Sequence, residues 1–141
     1  MVIWPQLWYN RTVKTIRQTY LINSPISKVW KALVDPKQID AWGGGPSKMS
    51  DEVGFKFTLW GSQIFGKNLL VSKHKKLVQE WWSGKDRWDE PSTTTFSLSE
   101  ENGKTKLELV HENVPEKNAK DINSGWKDFY LGPLKQLLEQ K

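Results

Sequence analysis

The side chains able to do acid–base or metal chemistry are few and scattered. The two histidines, His74 and His111, lie far apart and carry no metal-ligand spacing. With no cysteine in the chain, disulfides, thiolate zinc sites and thiol nucleophiles are excluded. Carboxylates are plentiful at Asp86, Asp89, Glu90, Glu100 and Glu101, but they cluster in polar stretches that read as solvated loops. Gly103-Lys104-Thr105 ends like a phosphate-binding loop, yet Leu98 stands where that loop needs its first glycine, and no helix follows. Gly43-Gly44-Gly45 meets Lys48 where a dinucleotide fingerprint needs its third glycine, and no G-x-S-x-G elbow is present. The expectation is a non-enzymatic protein without metal or cofactor.

Aromatic residues carry the stronger signal. QEWWSGKDRWDE, residues 79–90, places Trp81, Trp82 and Trp88 within one short stretch. Such a cluster can be core, a base-stacking platform or the wall of a ligand pocket. Net charge is +5, and the one dense basic run, Lys73-His74-Lys75-Lys76, sits between two apolar strand-like segments. It reads as a solvated turn, and without an RNA-binding motif or zinc finger a nucleic-acid partner is not expected. No stretch approaches the roughly 20 apolar residues of a membrane span, and the N-terminus does not read as a signal peptide. A cytoplasmic location is expected.

These residues need elements to position them. At 141 residues, with 37% hydrophobic and 26% charged residues, the chain has the composition of a single globular domain. Residues 1–13 form a Trp-rich leader (Trp4, Leu7, Trp8, Tyr9) expected to pack on the domain spanning residues 14–141. A strand is predicted over Thr15–Ile22, followed by a helix with Ser24 as N-cap and Pro25 at its first position. Ile26, Val29, Trp30 and Leu33 give that helix one buried stripe. Asp35-Pro36 ends it and opens a short turn carrying Ile39 and Trp42, and Gly43-Gly44-Gly45-Pro46 reads as a flexible loop. Strands are predicted over 54–60, with Phe55, Phe57 and Leu59 on one face, then over 65–72, 77–82, 92–99 and 105–113. Asn102-Gly103 is a two-residue hairpin signal that fixes a register. It sets Leu98 opposite Leu107, Phe96 opposite Leu109 and Thr94 opposite His111. A long helix from about Ala119 to Lys141 carries the stripe Ile122, Trp126, Phe129, Pro133 and Leu137, with Tyr130, Leu134 and Leu138 beside it. Pro133 should kink or restart it. The class is α+β: a curved antiparallel sheet around one long C-terminal helix, with a short helix after the first strand.

SPISKVWKALVDPKQIDAW and GWKDFYLGPLKQLLE resemble the first and closing helices of the START-like, helix-grip superfamily. EVGFKF, the Gly66 strand, LVQEWW and TKLELVHENVP follow in the order seen in small relatives of the activator of heat shock protein 90 ATPase. The resemblance covers about residues 14–140. It implies a sheet gripping the C-terminal helix, often over a cavity, and either of two roles: binding a hydrophobic small molecule, or serving a heat shock protein 90 type chaperone. The eukaryotic co-chaperone carries a separate N-terminal domain for which this sequence has no room. Small-molecule binding is therefore the first expectation and the chaperone role the second. Pro133 and the polar Asn68 depart from the family pattern.

Within that frame Trp81 faces the helix, Trp82 faces the other way, and Trp88 lies in a loop beside Asp86 and Arg87, where it can cap a cavity mouth or stack on arginine. His111 is expected to be a core histidine bonded to Thr94 or to backbone, or else to serve as the polar anchor of an apolar pocket. The candidate ligand site is Phe55, Phe57, Trp81, Trp88, Thr94, Phe96, Leu109 and His111 from the sheet side, closed by Trp126, Phe129 and Tyr130.

Overall fold

In the computed structural model the described residues are 12–140; the Trp-rich leader lies outside them apart from its last two residues. Strands β1 (Val13–Ile22), β2 (Lys56–Leu59), β3 (Ile64–Ser72), β4 (Lys76–Ser83), β5 (Ser92–Glu101) and β6 (Lys104–Pro115) form one antiparallel sheet in the order β1-β6-β5-β4-β3-β2. Helices α1 (Ile26–Val34) and α2 (Pro36–Trp42) follow β1. The chain closes with α3 (Glu116–Gly125), a π turn (Trp126–Leu131) and α4 (Gly132–Glu139). This is the expected α+β helix-grip arrangement.

The β5–β6 hairpin has the predicted register: Leu98 pairs with Leu107, Phe96 with Leu109 and Thr94 with His111. Asn102 and Gly103 both adopt positive φ, 52° and 81°, as the tight turn requires. Leu98, Phe96, Thr94, Leu107, Leu109 and His111 are all buried on the inner face. A register irregularity between Asn68 and Leu70 lets β3 bury Asn68 while leaving Leu69 and Leu70 on the surface. The basic run is the β3–β4 turn, as expected.

Three local expectations change. The helix α1 begins at Ile26 with Pro25 at its cap position, and no side chain caps it. Ser24 is buried, and its carbonyl accepts from the Thr105 hydroxyl instead (2.7 Å). The expected turn after Asp35 is a second helix. Asp35 accepts from the Lys37 amide, Pro36 opens α2, and Gly43 closes it at φ 106°. Its two apolar residues, Ile39 and Trp42, reach the core, and the Trp42 indole donates to the Ala32 carbonyl. The glycine loop is tied at both ends: Gly44 donates to Ile39, while the Gly44 and Pro46 carbonyls accept from Trp60 and Gly61.

The C-terminal helix is not uniform. At Trp126–Leu131 the Gly132 amide reaches back to the Lys127 carbonyl, five residues away. Proline at 133 has no N–H to give and its ring clashes with the carbonyl four residues back in a regular helix. The wider turn absorbs both problems, and α4 restarts with proline in its first turn. The extra residue in the turn rotates Phe129 out of the apolar stripe, leaving it 65% exposed. Trp126, Tyr130, Leu131 and Leu134 form the buried face.

Candidate binding cleft

The inner face of the sheet meets the helix through stacked rings. Trp126 lies 4.7 Å from both Trp81 and Tyr130, centroid to centroid, and Phe96 packs edge-on to Trp126 at 5.7 Å. Trp42 reaches Tyr130 from α2 at 4.5 Å. Gly66 makes room for this packing: a Cβ there would run into the Glu80 carbonyl and press on the Phe57 ring. These rings fill the middle of the sheet–helix interface.

His111 belongs to that filled interior. Its Nδ1 accepts from the Trp126 indole at 2.9 Å, and its Nε2 meets the Ser92 hydroxyl at 2.7 Å. A donor-only indole on Nδ1 requires the Nε2–H tautomer, so Nε2 donates to Ser92. The Ser92 hydroxyl donates in turn to the Trp81 carbonyl. Burial drives the His111 pKa down to about 3, and the imidazole is neutral. The expected bond to Thr94 is absent, and Thr94 Oγ1 is buried without a partner. Direct cross-strand pairing brings the two residues side by side, but the helix supplies Trp126 and the strand start supplies Ser92.

A second buried polar run continues from Trp81. Its indole donates to Gln79, Gln79 donates to Asn68, and Asn68 donates to the carbonyls of Ser50 and Glu52. Asn68, the departure noted in the sequence, is thus fully paired and holds the loop before β2 against the sheet.

Open space remains at one end of the interface. A cleft of about 600 Å³ runs between α3 with the π turn on one side and the β2–β3 and β4–β5 connections on the other. Trp81, Trp126, Tyr130 and exposed Phe129 line it, joined by Trp60, Ile64 and Ile122. Lys85, Asp86, Asn118 and Asp121 add polar groups at its rim. Of the expected site, the cleft therefore takes Trp81, Trp126, Phe129 and Tyr130. Phe57, Thr94, Phe96, Leu109 and His111 are buried away from it, and Phe55 packs against the core. Trp88 does not cap it; its ring is buried, with the indole donating to Asn118 at the start of α3. Trp82 faces outward, stacked parallel on Phe65. Trp60, Ile122 and Asp86 were not among the expected site residues, although Ile122 belongs to the helix stripe and Asp86 to the loop carboxylates noted in the sequence. Asp86 carried a signal: Ser83 stands three residues before it, and the two form a closed side-chain turn.

A curved antiparallel sheet folded over one C-terminal helix, with an aromatic cleft at its open end, defines a helix-grip domain of the START-like class. The model of the family "Activator of Hsp90 ATPase homolog 1-like protein" matches residues 23–139, and the chain belongs to that family. The Hsp90 co-chaperone AHA1 of Saccharomyces cerevisiae is 27% identical over 80% of this chain and 34% of its own length. An uncharacterized protein of Schizosaccharomyces pombe is 23% identical over 85% of this chain and 36% of its own. The chain thus spans about a third of the curated relatives it matches. Among solved structures, an HSP90 activator from Plasmodium falciparum superposes with a TM-score of 0.78 at 25% identity, covering 88% of this chain and 95% of that one. DynU16, a protein in the dynemicin biosynthetic locus, superposes at 0.76 with 21% identity, over 89% of this chain and 47% of its own. The latter likeness is one of fold. No helix among the described residues is long and apolar enough to cross a membrane.

Proposed function

We propose that the domain binds an amphipathic small molecule in the aromatic cleft, without catalysing a reaction on it. The observation that carries this reading is the cleft's volume of about 600 Å³ combined with an aromatic wall that includes the exposed Phe129. Ligand sites of this kind are concave, mostly apolar and about 300–1,000 Å³, with a few polar groups fixing orientation. Lys85, Asp86 and Asp121 supply those groups at the rim, so an apolar ring or acyl chain carrying a polar head fits the lining. A titration of fatty acids, flavonoids and steroids followed by amide NMR tests it. Shifts concentrated at Ile122, Gly125 and Phe129 are expected; a panel that leaves them unmoved removes the reading.

Family membership and the names of the yeast and Plasmodium relatives favour a second role, docking on an Hsp90 type chaperone. Stimulation of chaperone ATP turnover by this chain at micromolar concentration would put that role first.

A further inference from the structure

We propose that the cleft has an occupant built into the chain: residues 1–11 of the Trp-rich leader dock there and must be displaced by a ligand. The proposal rests on the reading of the cleft as a binding site and adds how that site is regulated. Three observations support it. The first is position. The Thr12 carbonyl accepts from the Glu116 amide (3.0 Å), and Lys14 pairs with Glu116 at 3.5 Å. The leader therefore joins the domain at the first residue of α3, and Asn118, which lines the cleft, is only two residues further on.

The second is reach. From Asn118 to Phe129 the helical wall is roughly 16 Å long at about 1.5 Å per residue. Residues 1–11 extend up to about 36 Å when stretched, so the leader spans the whole cleft without strain. The third is chemistry. The leader carries Trp4, Leu7 and Trp8 ahead of Arg11. The cleft presents Trp60, Ile122 and Phe129 with the carboxylates of Asp86 and Asp121 at its edge. Apolar rings meet an apolar wall, and a guanidinium meets acids. Covering Phe129 also removes a large exposed aromatic from water.

The chain has no native cysteine, so Gln6→Cys gives a single attachment point for a nitroxide in the full-length protein. Paramagnetic broadening is expected at the Ile122 and Gly125 amides and the Trp126 indole, but not at the Trp82 indole on the opposite face. It should persist on tenfold dilution and vanish when the label sits on a separate, isotopically unlabelled copy. Broadening at Trp82 instead, no site-specific broadening, or broadening only between copies would each overturn the proposal. In the full chain, Trp4→Ala with Trp8→Ala should tighten binding of the probe 8-anilinonaphthalene-1-sulfonate about fivefold, the factor for freeing a cleft that is four-fifths occupied. Unchanged affinity for a probe that does bind the cleft would also overturn it. If the probe binds neither form while the broadening persists, the ligand reading falls and the docking of the leader stands.

Discussion

His111 should make the protein steeply acid-sensitive well above the range in which its carboxylates titrate. Its imidazole is sealed between the Trp126 indole and Ser92, and burial lowers its pKa to about 3. In the unfolded chain the same group titrates near 6.5. Between those two values the unfolded state holds a proton that the folded state refuses, so unfolding becomes easier as the pH falls. The stability is fully present above about 6.5 and drains away towards 3. For this one group the linkage gives a loss, relative to pH 7, of about 1.3 kcal/mol at pH 5.5 and about 2.5 kcal/mol at pH 4.5. Urea melts at the three pH values measure it, with His111→Gln as the reference that keeps a polar amide in place and removes the titration. The wild type should lose those amounts in excess of the variant. Parallel pH profiles for the two proteins would refute the reasoning, as would imidazole 15N shifts showing His111 protonated in the folded state at pH 5.5.

Three further outcomes are expected. Phe96→Ala removes a fully buried ring wedged against Trp126 and Tyr130 and should cost about 3–5 kcal/mol in denaturant melts. Gly132→Ala should destabilise by roughly 1–3 kcal/mol, because the added Cβ meets the Lys127 carbonyl across the π turn. In a regular α-helix the same change would stabilise by about 1 kcal/mol, so the sign of the shift in melting temperature tests the turn itself. Phe129→Ala should leave stability within about 0.5 kcal/mol, as surface substitutions do, yet weaken any cleft ligand detected by NMR titration.

The parts of the fold written in local signals were readable in advance. Asn102-Gly103 carried the whole β5–β6 register, because two consecutive positive φ values admit few residue pairs and each pair sets a strand offset. Alternation likewise set Trp81 and Trp82 on opposite faces, while the resemblance to the family, not the alternation, chose Trp81 as the buried one. The terminal helix shows where periodicity stops informing. A 3.6-residue period placed Phe129 in the stripe, but one wide turn ahead of Pro133 shifts the phase, and the hydrophobicity pattern holds no mark of it. The cleft was half legible for a related reason. Its helical wall came from apolar residues in sequence, whereas Trp60 and Asp86 sit in connections whose approach to α3 is decided by packing. His111 was recognised as buried, but its partners lie diagonally and across a helix, beyond what strand pairing specifies.

The buried polar run has a direction. From Trp126 through His111 and Ser92 to the Trp81 carbonyl, and from the Trp81 indole through Gln79 and Asn68 to the Ser50 carbonyl, every donor points the same way. An indole can only donate and a carbonyl can only accept, so no member can turn round without breaking its neighbours' bonds. The arrangement therefore has a single proton pattern and no second one of comparable energy. A proton wire needs two such patterns, because each hop leaves the chain in the reverse orientation. These two runs have only one, and their bonds tie the sheet to the loop before β2 and to the closing helix.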